Sequence, residues 1–201
     1  MYSIVDLEAT GGKFNEESII EIAIYKYDGE KVVDQFISLV NPDKEISPYV
    51  EKLTGIDAKM VKTAPVFSEL AKRIIEITDS TILVAHNAQF DYRLLQIEFD
   101  RLGYEYIKES LCTVILSQKL LPNQESYKLG KLVKSLGIPL SQRHRASGDA
   151  KATVELFKLL IQKDIDKQII SKNIVTYLGQ NVRTVFNRII EDVKNETGVF
   201  Y

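Results

Sequence analysis

Asp6 and Glu8 stand two residues apart in Ser3-Ile4-Val5-Asp6-Leu7-Glu8-Ala9-Thr10-Gly11. Ile4 and Val5 open a strand, whose side chains alternate between faces. Both carboxylates therefore point the same way, with Leu7 on the opposite side. At about 6 Å and an effective dielectric near 20, they repel by roughly 3 kcal/mol. A bound cation removes that cost. Oxygen donors at this spacing suit Mg²⁺ or Mn²⁺ better than Zn²⁺. An exposed edge strand with solvated acids would carry the same residues, so Asp-x-Glu alone does not decide.

Two later segments add acids of the same kind. His86-Asn87-Ala88-Gln89-Phe90-Asp91 follows the apolar run of residues 81–85 and opens a helix reaching about Leu102. Phe90, Leu94 and Ile97 face inward on it, and Asp91 lies in its first turn. A first-turn aspartate is common for the helix dipole alone. At the carboxyl edge of a sheet it is also where α/β sites gather. His144-Arg145-Ala146-Ser147-Gly148-Asp149 opens another helix, striped by Ala150, Val154, Phe157 and Ile161. Taken singly, His144 reads as a surface histidine and Asp149 as another dipole acid.

The elements that must position these groups follow from periodicity and turn chemistry. Residues 19–27 form a strand with Ile20, Ile22 and Ile24 on one face. Asp28-Gly29 turns the chain into a returning strand at 32–40. Short helices are expected at 48–53 and 57–61, with Gly55 closing the first. A longer helix starts at Pro65, with Phe67, Leu70, Ile74 and Ile77 at helical spacing. Residues 81–85 form a strand buried on both faces. A short edge strand near 111–114 and helices at 114–120 and 128–136 complete the list.

The 201 residues suffice for one substantial domain, 1–165, and a helical tail or linker, 166–201. In the tail, Val182, Val185, Phe186, Ile189, Ile190 and Val193 make a strongly amphipathic stripe. Hydrophobic content of 45% with 27% charged residues fits a soluble globular protein and excludes a low-complexity chain. No apolar run approaches a membrane span, and no leader-like segment is visible, so no membrane partner is expected. The single cysteine, Cys112, cannot form an internal disulfide and fits the cytoplasm. With two histidines, His86 and His144, there is no Cys/His cluster for zinc. Acids predominate up to residue 113 and bases after it. That asymmetry suits a metal pocket beside a phosphate-binding surface, although solvated faces vary as much.

Together, Asp-x-Glu on the first strand, Asp91 after His-Asn-x-x-Phe, and His144 five positions before Asp149 resemble the DEDDh exonucleases of the DnaQ-like superfamily. That family includes the proofreading subunit of bacterial replicative DNA polymerase. The resemblance covers roughly residues 1–165. It implies an α/β RNase H-like fold, a mixed five-stranded sheet flanked by helices. It also implies 3′→5′ removal of nucleotides from DNA ends that are single-stranded or frayed. Asp6, Glu8, Asp91 and Asp149 would hold two divalent cations, Mg²⁺ or Mn²⁺, and His144 would be the general base. Leu7, Ala9 and Thr10 match positions lining the terminal nucleotide, and Asn87 and Phe90 would shape the same pocket.

One departure is Ser147-Gly148 before Asp149, where relatives carry more helix-favouring residues. Glycine is expected to loosen this helix start by ~0.5–1 kcal/mol and to leave the histidine segment mobile until substrate and metal arrive. A second, shorter resemblance lies at residues 195–201, Asn-Glu-Thr-Gly-Val-Phe-Tyr, which look like the opening of a GIY-YIG nuclease domain. It would make the tail a linker to a fused nuclease domain; the first resemblance suggests a DNA polymerase as partner. The nearest rival keeps the chemistry and trims RNA, as ribonuclease T and oligoribonuclease do. A non-catalytic nucleic-acid or polymerase-binding module would be expected to have lost a ligand, and none is missing. A carboxylate-pair glycosidase needs two acids, not four and a histidine.

Overall fold

A computed structural model describes residues 1–176. Six strands, β1 (Tyr2–Ala9), β2 (Ile19–Tyr27), β3 (Val32–Leu39), β4 (Ile82–Ala85), β5 (Glu109–Cys112) and β6 (Val175–Thr176), form one sheet in the order β3-β2-β1-β4-β5-β6. β2 is antiparallel to β1 and β3, whereas β4 runs parallel to β1 and to β5. The sheet is therefore mixed, as expected, with β1 near its middle.

The sixth strand was not anticipated. After α8 (Gln168–Lys172) the chain returns beside β5, and Val175 and Thr176 pair antiparallel with Ser110 and Glu109. Two residues carry too little alternation to read as a strand. As a result β5 is not the edge strand.

Residues Ile19–Tyr25 are all buried, so β2 is covered on both faces. Ile20 packs with Ile46, Ile56 and Val61 beneath α1 (Pro48–Thr54) and α2 (Ala58–Lys62). Gly55 closes α1 at φ 71°, a left-handed conformation that glycine adopts freely. α3 (Phe67–Thr78) begins two residues later than Pro65 suggested, because Val66 is the cap and its N–H donates to Oε2 of Glu69.

The two faces of β1 meet different helices. Tyr2, on the face of Asp6 and Glu8, packs edge-on against Phe157 of α7 (Ala146–Lys163), at 4.8 Å between ring centres. Ser3, on the other face, bonds to Thr81 and to the Ile77 carbonyl of α3. α3 in turn packs on α4 (Ala88–Arg101) through the Phe67–Phe99 pair. α5 (Thr113–Leu120) and α6 (Leu129–Ser135) flank α7. The sheet's mid-strand acids thus face the N-terminus of α7. No helix among the described residues is long and apolar enough to cross a membrane. The amphipathic stripe at 182–193 and the motif at 195–201 lie outside the described residues.

Candidate active site

Strand alternation places Asp6 and Glu8 on the α7 face of β1, and the first turn of α7 brings Asp149 to them. One carboxylate oxygen from each of the three lies within 4.8 Å of the others. Asp91, from the first turn of α4, lines the same cleft, which encloses about 260 Å³. Its Oδ1 accepts the N–H of Leu7 at 3.0 Å, so the peptide between the two β1 acids orients the third. β4 pairs with β1 only from Tyr2 to Ile4. Beyond Ile4 the strands part, and the gap is where Asp91 enters.

These carboxyls are electrostatically costly. Burial, then Asp91, Asp149, Glu8 and Glu21, hold the Asp6 carboxyl well above the usual range. Burial, Asp149 and Glu21 push Glu8 up to about 7, with Arg145 opposing. Burial also raises Asp91 and Asp149, although the N–H of Leu7 and the backbone of His144 pull the other way. Crowded oxygen donors that repel one another are the donor set a hard divalent cation fits.

His144 lines the cleft from the loop before α7. Its backbone is left-handed, φ 60°, as is that of Gln142, φ 55°. This tight double bend lets the His144 N–H donate to Oδ2 of Asp149 at 2.6 Å. Gly148 has a different role from the helix-loosening one expected. A Cβ there would overlap the Ser141 carbonyl oxygen and come within 2.6 Å of that of Gln142. Glycine is required by close packing of the bend on α7, not tolerated as a weak helix residue.

Leu7, Asn87 and Phe90 also line the cleft. Asn87 caps α4 at φ 77°, in a region where asparagine is among the few tolerated side chains. Ala9 and Thr10 are not among the lining residues. Ala9 is buried, and the Thr10 hydroxyl donates to the Gly11 carbonyl and accepts the Ser18 N–H. A bulge after Glu8 shifts the register at Ala9, the last residue of β1, and Thr10 opens the β1–β2 connection.

Four contributors escaped the sequence reading. Glu21 lies opposite Glu8 in the β1–β2 register and is buried. Its carboxylate accepts from Arg145 (Nη2, 2.6 Å) and from the Ala146 N–H (2.8 Å), pinning the start of α7 to the strand beside Glu8. A lone acid inside Ile-Ile-Glu-Ile-Ala-Ile was the available signal. Arg145 is its partner, and Arg143, two residues earlier, lines the cleft. His86, also lining it, is partly buried, and desolvation holds its ring down to about 4. The Tyr127 carbonyl, 2.8 Å from Nε2, can only accept, so the neutral ring carries its proton there. Nδ1 then accepts from the Thr113 hydroxyl at 2.9 Å.

Known proteins resemble this chain in sequence and fold. Residues 3–157 match the RNase_T family model, described as an exonuclease. A PolC-type DNA polymerase III of Caldanaerobacter subterraneus is 38% identical over 162 residues, 81% of this chain and 12% of the polymerase. The 3′-5′ exonuclease DinG of Staphylococcus epidermidis is 31% identical over 196 residues, 96% of this chain and 22% of that protein. The chain thus spans less than a quarter of the length of either. Exonuclease X, solved in complex with 5′ overhanging duplex DNA, superposes with a TM-score of 0.68 at 29% identity, covering 82% of this chain and 93% of that one. With the family model matching most of its length, this chain belongs to the RNase_T exonuclease family, of the DnaQ-like kind its three acidic motifs resemble.

Proposed function

We propose that this chain is a metal-dependent 3′→5′ exonuclease that releases nucleoside monophosphates from single-stranded or frayed DNA 3′ ends. The observation that carries this reading is the meeting of Asp6, Glu8 and Asp149 within 4.8 Å, from a strand and a helix more than 140 positions apart. Asp91 completes the set. In this reading the four carboxylates hold two divalent cations, Mg²⁺ or Mn²⁺. When bound, such a pair offsets the acids' charge and favours hydroxide attack at phosphorus with departure of the 3′ oxygen. His144, at the cleft wall and tied through its own N–H to Asp149, takes the proton of the attacking water. Leu7, Asn87 and Phe90 wall the space for the terminal nucleotide. Ala9 and Thr10, which match family positions beside the terminal nucleotide, follow Glu8 directly in the chain.

The named relatives support a setting in DNA replication or repair, and the PolC-type relative supports a DNA polymerase as partner; a fused nuclease domain rests on the sequence of residues 195–201 alone. The single cysteine, Cys112, is in keeping with a reducing cytoplasm. The test is digestion of matched 3′-labelled DNA and RNA oligonucleotides with Mg²⁺, with Mn²⁺ and with chelator, by wild type and by H144A and D149N. Stepwise release of monophosphates from DNA, abolished by chelator and reduced by orders of magnitude in both variants, is expected. Preference for the RNA strand would transfer the reading to RNA trimming. Metal-independent cleavage, or H144A at wild-type rate, would refute it.

A further inference from the structure

Two arginines bracket His144, and the structure gives them different tasks. Arg145 is committed: its guanidinium is held by Glu21. Arg143 has no carboxylate or carbonyl partner among the described residues. It is nevertheless the one lysine or arginine among the described residues that line the cleft. The residue is exposed to solvent on the wall of a cleft lined by four acids, and Asp149 is near enough to feel its charge.

Gly130 supplies a second observation. It lies in α6, with ordinary helical backbone, and it also lines the cleft. A Cβ added there would stand 3.0 Å from both Cζ and Nε of Arg143. The bare helix surface at Gly130 is therefore the shelf on which the guanidinium rests. It seats the fork at the cleft rim.

We propose that Arg143, seated on Gly130, binds a phosphate of the substrate strand next to the linkage being hydrolysed. This rests on the nuclease reading above and names the residue that supplies substrate affinity to that site. The charge balance favours it. Two divalent cations would offset the four acids and leave nothing for the strand's further negative charges. A planar, always-charged fork is suited to a phosphate. Arg143 is a binding residue in this account and touches no reacting atom.

The experiment compares wild type, R143A, R143K and G130A on a 3′-labelled single-stranded DNA oligonucleotide in Mn²⁺, at several salt concentrations. R143A is expected to raise KM about 5–10-fold while kcat stays within about twofold, the pattern of lost uniform binding. The slope of log(kcat/KM) against log salt should become shallower by about 0.7, the value of one single-strand phosphate contact. R143K should restore the slope but only part of the KM, since charge returns without the fork. G130A should raise KM in the wild-type background and do nothing further in R143A. Replacing each non-scissile phosphate by a neutral methylphosphonate should weaken wild type at one position more than R143A. An unchanged KM and salt slope in R143A overturns the proposal. So does an effect confined to the Mn²⁺ half-saturation point, which would make Arg143 a modulator of the cation site. Were wild type inactive, the nuclease reading would fall, and fluorescence-anisotropy binding of the same oligonucleotide would still decide: equal Kd for wild type and R143A overturns the assignment.

Discussion

Replacing Glu8 by glutamine should stabilise the metal-free protein. The Glu8 carboxyl is pushed from 4.5 up to about 7, chiefly by burial and then by Asp149 and Glu21. A folded-state value above the unfolded one means the folded chain holds its proton longer. The stability contributed is fully present below pH 4.5 and is lost as pH rises through about 7. At about 1.36 kcal/mol per pH unit, the 2.5-unit difference is worth roughly 3 kcal/mol. Because Glu8 is partly open to the cleft, about 2–3 kcal/mol is expected. Glutamine keeps the shape and never ionises. In urea unfolding with chelator, E8Q and wild type should therefore match at pH 4.5. At pH 8, E8Q should be more stable by that amount, a gain in Tm of roughly 4–12 °C for a chain of this size. Comparing two variants cancels the opposite trend of His86, which both share. Added Mn²⁺ should reverse the order, since wild type then gains binding energy that E8Q lacks. An E8Q protein equal to or weaker than wild type at pH 8 in chelator would refute the electrostatic account of the cleft.

Other outcomes follow from the same geometry. His86 is neutral in the fold down to about pH 4. The unfolded chain takes up its proton near 6.5, so stability should rise between pH 4 and 6.5 in wild type. H86A should lose that rise and about 2–4 kcal/mol with the Thr113 and Tyr127 bonds, as read by denaturation at several pH values. G148A should destabilise by about 1–3 kcal/mol through overlap with Ser141 and Gln142. Helix propensity alone would make it stabilising by ~0.5–1 kcal/mol, so the sign of the change in urea midpoint decides. R145A should cost about 2–4 kcal/mol, because it leaves Glu21 buried with the Ala146 N–H as its remaining partner. It should also weaken the Mn²⁺ dependence of melting, because the α7 start that carries Asp149 is no longer tied to β2.

What could be read from residues alone was whatever a local period or turn dictates. The bounds of β2 coincide with the apolar run, and Gly55 caps α1, because burial on both faces and a left-handed cap each leave a local mark. The acidic motifs were visible as spaced side chains, and the structure brings them to one cleft. What stayed hidden depends on contacts distant in sequence. β6 exists through pairing with β5, and its two residues have no period of their own. Gly148 looked like a helix weakness because the carbonyls it accommodates sit in the preceding bend. Glu21 lies 124 positions from Arg145, so neither marks the other in the chain. Ala9 and Thr10 are marked through the family resemblance alone, and the register shift after Glu8 that moves them off the cleft lining leaves no mark in the sequence.

The bond from the Leu7 peptide to Asp91 has a consequence for how this chain tolerates change. It indexes β1 against α4, as the Glu8–Glu21 pairing indexes it against β2. A one-residue insertion or deletion before Asp6 would turn both acids to the opposite layer. It would also leave Asp91 facing the wrong amide. Length variation should therefore be purged from this strand while it accumulates in the exposed hairpin at residues 28–31, where the sheet loses nothing by lengthening.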